Sequence, residues 1–388
     1  MKAPLSPDYF VRSGRRLGRG VSLFGVLVLL LSSSLLPDAF AWATSVSDVS
    51  SGASMTPLLL ARVPSSQVVY ILGSVKCGES RCLHLRRTTD YAAHFVTVSI
   101  PPVSEVPGSL TGSLSRLLFA NVNDGYAIEP TGSSTTLFVT TDGATTWRRA
   151  ALASGLVFGG FAMSATSLYA VTMRCNGLAQ TCTDFRLARS SLKASHWAFS
   201  PMPNSTRHLD GLVGPVGAYG SSVWVSELLP SGALLAVSHD SGRTFTTIAT
   251  PALGSVSGCY ITPTSTVNLW AECPTGMRVS FFYSGDGGRS WKRINVSQYM
   301  GTGGGNFDPV SNGLAYLAYG LDSHDLYRVT DGARRLTVVG KLSCSIVLSL
   351  VFIDRSHGLA DCVGVGGTTE FLLRTNQGGA TWTRVPGY

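Results

Sequence analysis

The 388-residue sequence predicts an all-β fold, a seven-bladed β-propeller of four-stranded antiparallel blades, on three observations. An eight-residue turn sequence recurs along the chain at a nearly constant spacing. Between its copies a second pattern repeats: an apolar strand, a short polar turn, Gly, then another strand, as in Ser311-Asn312-Gly313-Leu314-Ala315 and Ser356-His357-Gly358-Leu359-Ala360. Composition agrees, with 43 glycines, 44% apolar and only 13% charged residues, which suits many short half-buried strands joined by tight turns. A blade in such a ring cannot bury both faces until neighbours stack on it, so an even repeat implies one large closed domain.

The turn is clearest at Ser284-Gly285-Asp286-Gly287-Gly288-Arg289-Ser290-Trp291. Its Asp accepts hydrogen bonds from its own turn, its glycines tolerate positive φ, and its aromatic leads into a strand. Copies occur at Ser238 to Phe245 with Asp240, at Thr140 to Trp147 with Asp142, and at Thr375 to Trp382 with Gln377 in place of Asp. Degraded copies fall where the period demands them: Thr88 to Phe95 with Asp90, Ser190 to Trp197, and Val329 to Leu336 with Asp331. The markers Phe95, Trp147, Trp197, Phe245, Trp291, Leu336 and Trp382 are spaced by 52, 50, 48, 46, 45 and 46 residues.

Taken in order, residues 1–43 read as a signal peptide. Arg12, Arg15, Arg16 and Arg19 precede an apolar core from Val21 to Leu31, and Ala41-Trp42-Ala43 offers a small-x-small cleavage site. The competing reading is an uncleaved anchor, against which Ser32 to Ser34 and Pro37 cut the apolar run below the roughly 20 residues of a span. Either way the rest is expected outside the cytoplasm, extracellular, periplasmic or at the cell surface. Residues 44–56, rich in Ser and Gly, read as a flexible linker, and 57–388 as the propeller. Leu58-Leu59-Leu60 opens blade one as an inner strand facing a central channel; Leu117 to Ala120, Asp124 to Ala127 and Thr136 to Val139 build blade two. The last strand of each blade belongs at the rim. Blade seven supplies all four of its own strands, and any clasping strand would come from Thr44 to Ser54.

The repeated turn resembles the Asp-box, or BNR repeat, of sialidases, sortilin-type receptors, some β-glucan hydrolases and exported photosystem II assembly factors. That resemblance covers nearly all of the chain after the N-terminal segment. It implies that Asp90, Asp142, Asp240, Asp286 and Asp331, with the aromatic markers, brace hairpins at the blade periphery and do no chemistry. It also offers enzymes to compare with. Sialidases carry an Arg-Ile-Pro motif and a Tyr–Glu nucleophile pair; no Arg-Ile-Pro occurs here. Among the six Glu residues, only Glu272 lies on a strand adjacent to a suitable tyrosine, Tyr260, an arrangement that ordinary cross-strand packing also produces. Asp124, Asp184, Asp210, Asp308, Asp322, Asp325, Asp354 and Asp361 mostly stand in turns, where Asp serves the backbone, and no two can be nominated as the carboxyl pair of a glycosidase. Gly301 to Gly305 lacks a phosphate-loop ending and reads as a connection between blades. No catalytic residue, cofactor or metal is therefore expected.

Eight cysteines follow the signal, and their places in the repeat pair them locally as disulfides: Cys77 with Cys82, Cys175 with Cys182, Cys259 with Cys273, and Cys344 with Cys362. The alternative is a metal site to which Cys-x4-Cys and Cys-x6-Cys contribute ligands, but no histidine cluster of matching spacing lies near these residues. The full chain carries +8; residues 1–43 hold five of the basic and two of the acidic residues, so the remainder is +5. Arg86-Arg87, Arg148-Arg149 and Arg334-Arg335 fall at turn ends or outer strands and form no single run, which argues against nucleic acid. The expected role is a monomeric, non-catalytic exported scaffold that binds a protein or glycan at one face, with the membrane met only through the N-terminal segment. The alternative is a sialidase-like or other glycoside hydrolase acting on extracellular glycans.

Overall fold

The computed structural model describes residues 54–103, 114–131, 134–150, 156–176, 181–203, 213–229, 232–250, 259–275, 278–296, 306–318, 325–364, 367 and 369–388. The signal segment, most of the linker, Gly301 to Gly305, Asp210 and Asp322 lie outside them. Within them, seven four-stranded sheets form, each from four consecutive strands paired antiparallel in chain order.

Blade one is β1 (Thr56–Arg62), β2 (Val69–Cys77), β3 (Ser80–Thr88) and β4 (Val96–Val98). Blade two is β5 (Arg116–Phe119), β6 (Gly125–Thr131), β7 (Ser134–Thr140) and β8 (Arg148–Arg149); blade three is β9 (Val157–Met163), β10 (Ser167–Asn176), β11 (Thr181–Ser191) and β12 (Ala198–Pro201). Blade four is β13 (Val213–Tyr219), β14 (Ser222–Leu229), β15 (Gly232–Ser238) and β16 (Thr246–Ala249); blade five is β17 (Tyr260–Pro263), β18 (Leu269–Thr275), β19 (Arg278–Ser284) and β20 (Lys292–Arg293). Blade six is β21 (Asn306–Ser311), β22 (Leu314–Ala318), β23 (Asp325–Thr330) and β24 (Arg335–Lys341); blade seven is β25 (Ile346–Phe352), β26 (Gly358–Val363), β27 (Glu370–Thr375) and β28 (Thr383–Arg384).

The middle strands are apolar on both faces because each blade packs on two neighbours. β26 is buried at every position, and β2 at its first seven. Seven core clusters result, one per junction. Tyr70 and Phe119 belong to the cluster between blades one and two, Trp224 and Ile261 to that between four and five, and Tyr316 and Phe352 to that between six and seven. The seventh joins Leu359 and Leu372 of blade seven to Met55, Val69 and Ile71 of blade one, so the ring closes. No strand among the described residues is shared between first and last blades. Instead Met55 N–H donates to Gly387 O at 3.0 Å, Arg374 Nη1 to Ala92 O at 2.9 Å, and Arg62, at the end of β1, to Pro309 O at 3.0 Å and to Phe352 O. Strand β1 begins at Thr56, the last residue of the expected linker, and Met55 before it is fully buried.

Most outer strands are short, and those of blades two and five consist of basic residues alone. Arg148-Arg149 of β8 and Lys292-Arg293 of β20 are exposed, and such charge on an edge blunts pairing with other chains. Blade six differs, with a seven-residue outer strand β24. All four expected disulfides form, the first two across hairpins between second and third strands and the others from just before an inner strand to its neighbour.

Candidate binding face and central channel

Inner strands all run through the ring in one direction. Their far ends, the turns that follow them, and the repeated loops between third and fourth strands therefore share one face. In the loop of blade five, Asp286 Oδ1 accepts from Ser284 Oγ at 2.8 Å and from Ser290 N at 2.9 Å, while Oδ2 accepts from Ser290 Oγ at 2.5 Å. Ser284 Oγ accepts in turn from Gly288 N at 2.8 Å. The same net recurs around Asp142, with Thr140, Thr145 and Thr146, and around Asp240, with Ser238, Arg243 and Thr244. Blade one substitutes His94, whose Nδ1 lies 2.6 Å from Asp90 Oδ2, and in blade seven Gln377 Oε1 accepts from Thr381 Oγ1 at 3.1 Å. Two successive residues take positive φ in each of these loops, as at Gly287 (78°) and Gly288 (95°), which explains the glycines.

These bonds hold the carboxylates ionised. The His94 backbone amide, then its side chain, pull Asp90 down to about 2. Partial burial pushes Asp286 up, but hydrogen bonds from Ser290, Ser284 and Arg289 outweigh it and bring it to about 2. Asp240 and Asp142 shift downward too, Asp240 chiefly through the Thr244 amide, Asp142 through Thr146 and Thr140 against partial burial.

Asp331 lies in a tighter turn between β23 and β24, and among the described residues no such net surrounds its carboxylate; Arg334 N–H bonds only its backbone oxygen, at 3.3 Å. In blade three Ser190 Oγ donates to His196 O at 2.6 Å. The marker aromatics pack inward. Trp147 meets Phe119 edge-on at 6.3 Å, Trp382 meets Phe352 at 6.0 Å, Phe95 meets Tyr388 at 5.1 Å and Trp197 meets Phe158 at 6.4 Å. Phe245 and Trp291 pack on the neighbouring core clusters.

Each loop also leans on its own blade's first turn: Gly143 N donates to Asn123 O, Ser241 N to Ser221 O, Gly287 N to Val267 O, and Gly378 N to Ser356 O, at 2.7–2.9 Å. Second-strand aromatics then pin five of the blades to the next. Tyr70 Oη donates to Gly143 O at 3.2 Å, Tyr126 Oη to Leu192 O at 2.7 Å, and Tyr316 Oη to Arg355 O at 2.7 Å. Trp224 Nε1 reaches Gly287 O and Trp270 Nε1 reaches Ser311 O, both at 3.4 Å. Tyr169 holds the same place in blade three without a partner for its hydroxyl, and blade seven has Leu359 there.

Three apolar side chains stand exposed at or beside first turns on this face. Val122 and Val267 lie in the first turns of blades two and five, and Tyr219 ends the inner strand of blade four, at 44%, 47% and 44% exposure. Asn312 and Arg355 occupy the first turns of blades six and seven. Below runs a channel cavity of about 390 Å³ between the inner strands of blades one to five, walled by Leu60, Ser115, Leu118, Phe161, Gly217 and Ile261 among others. Arg116 is the one ionisable residue among the described residues that line it. Between blades one, six and seven, Arg62 pairs with Asp308 at 3.3 Å; burial pushes the Asp308 carboxyl up, against the pull of Arg62. A second, polar pocket lies on this face at blade six, lined by Asn268, Tyr283, Asn312, Asp331 and Arg355. Tyr260 and Glu272 stand directly opposite each other on β17 and β18; Tyr260 is 47% exposed, and burial raises Glu272 to about 7. No group of three or more metal-ligating side chains occurs among the described residues.

The architecture is that of a seven-bladed β-propeller whose first and last blades meet by packing. Neither protein-family models nor curated proteins give a match. Among solved structures, YCF48 from Cyanidioschyzon merolae aligns with a TM-score of 0.51 at 15% identity, over 71% of this chain and 85% of that one. The β-propeller domain of the trilobed protease from Pyrococcus furiosus, which has an open velcro topology, aligns at 0.53 and 8% identity, over 86% and 95%. A structure of YCF48 bound to D1 peptide gives 0.49 at 16% identity, over 73% and 82%. At such identities the likeness is one of fold.

Proposed function

We propose that this chain is an exported, non-catalytic propeller that binds a protein partner through the face carrying the repeated loops, as a scaffold similar to the assembly-factor branch of the Asp-box family. The observation that carries the reading is the trio Val122, Tyr219 and Val267, apolar side chains held in water at or beside the first turns of blades two, four and five. Apolar side chains grouped beside polar ones mark contact surfaces. Asn312 and Arg355 on blades six and seven give the same face a polar half, so a partner would dock in one orientation. Asp90, Asp142, Asp240 and Asp286 are braces in this reading: each carboxylate is engaged by its own loop and has no proton to give near neutral pH. Four disulfides fit the oxidising compartment that export supplies.

The test compares the full chain with a V122D/Y219D/V267D variant and with V338D, an exposed residue on β24, as control, by capture from a membrane extract. Partner recovery by wild type and control, with loss by the triple variant, supports the reading; equal recovery by all three overturns it. A glycoside hydrolase reading draws on one observation, Glu272 raised to about 7 opposite exposed Tyr260. Turnover of fluorogenic sialosides or β-glucosides that is lost in E272Q would establish that reading instead.

A further inference from the structure

Blade seven turns an acidic pair toward blade one. Asp361, on β26, has 0% exposure, and neither carboxylate oxygen has a hydrogen-bond partner among the described residues. Glu370, on β27, lies on the same face, since Asp361 stands opposite Leu372 and Glu370 is two residues away on that strand; its Oε2 is likewise buried without a partner. That face also carries Leu359 and Leu372, which pack with Val69, Ile71 and Val75 in the cluster that closes the ring.

The basic groups on the faces that meet here have other partners: Arg374, on the face of Glu370, donates to Ala92 O, and Arg86, opposite Ile71, lies over the Tyr388 ring, while burial and then Arg86 push His84, opposite Gly73, down. On β25, Ser349 is opposite Asp361. From blade one, β2 presents Val69, Ile71 and Val75; Lys76 at its end is exposed, and Arg81 on β3 is held by Ser74 and Thr56. Burial first, then repulsion from Glu370, push the Asp361 carboxyl up to about 8; the Cys362 amide works weakly the other way, without hydrogen-bond geometry.

At this junction Leu359 stands where tyrosine or tryptophan pins five other blades, so blade seven contributes no such pin. The junction's polar links include the Met55, Arg62, Arg86 and Arg374 bonds to backbone oxygens.

We propose that Asp361 and Glu370 form a proton-dependent latch between the first and last blades: with Asp361 neutral the two blades stay packed, and loss of its proton places two negative charges in an apolar seam and opens the ring there. The sign follows from linkage. The folded chain keeps a proton that the unfolded chain releases in the ordinary carboxylate range, about 4, so the seam weakens as pH rises from there and is weakest above about 8.

Hydrogen exchange of the whole protein at pH 6 and pH 9, corrected for the intrinsic pH dependence of exchange, tests this. In wild type, amides of β2 and β26 are expected to lose about tenfold more protection than those of β14, on the opposite side of the ring. In D361N the difference should vanish, and in E370Q it should move to lower pH, since Asp361 gives up its proton more readily once the neighbouring charge is gone. Uniform loss across all blades, or a wild-type pattern in both variants, overturns the proposal. If D361N does not fold, E370Q alone decides, because a pattern unmoved by removing the neighbouring charge is incompatible with the latch.

Discussion

Asp286 accepts hydrogen bonds from Ser284, Ser290 and the backbone of its own loop, and so fixes five residues of irregular chain with one carboxylate. The role is that of a helix-capping side chain, whose removal costs about 1 kcal/mol. Asp286→Ala should lower stability to urea by about that amount at pH 7. Because the Asp90 and Asp286 carboxyls are held at about 2, their contribution is present above the ordinary carboxylate range and is lost as pH falls through about 2. Wild type and D286A should therefore converge in denaturation measured near pH 2. Asp361 titrates in the opposite sense: its effect grows as pH rises. A protein with both groups is squeezed from either side of neutrality, by acid at its loops and by base at one seam.

At the scale of the element, the second strands do more than fill blades. Tyr126 on β6 donates to Leu192 O in the loop of the next blade, a part-buried bond, so Tyr126→Phe should cost about 1 kcal/mol in thermal or chemical denaturation. The loops were legible in the sequence because each is specified locally: Ser or Thr, Asp, Gly and an aromatic all serve one turn. The aromatic pins were not, because their acceptors are backbone carbonyls, which leave no trace in residue identity and lie 66 residues away in the case of Tyr126. Blade six was misleading for a related reason. Asp331-Gly332 satisfies the spacing, yet β23 ends at Thr330 and β24 begins at Arg335, leaving no room for the longer loop and exposing the polar pocket beside Tyr283. The outward tips Val122, Tyr219 and Val267 were invisible for the opposite reason, since apolar residues in a strand-rich chain read as core until the turns are placed.

Across the whole molecule, the cysteine pairing could be read from the repeat because local partners on adjacent strands need no long-range information. Accessibility separates the four bonds. Cys259, Cys273, Cys344 and Cys362 are buried, whereas Cys77 and Cys82 sit at an open hairpin. Mild reductant followed by alkylation and mass spectrometry should therefore label Cys77 and Cys82 under native conditions and spare the buried pairs until the ring unfolds. Ring closure, by contrast, was undecidable from the sequence, since a clasping strand and a packed seam ask for similar apolar residues near the ends. The seam observed, with Met55 bonded to Gly387 and every blade spun from consecutive strands, leaves the wheel without a preferred origin. Residues 55 and 388 could be joined by a short peptide and the chain cut between any two blades, giving a circular permutant with the same architecture; and a gene encoding such a wheel can grow or shrink by one whole spoke at a time without rethreading the remainder.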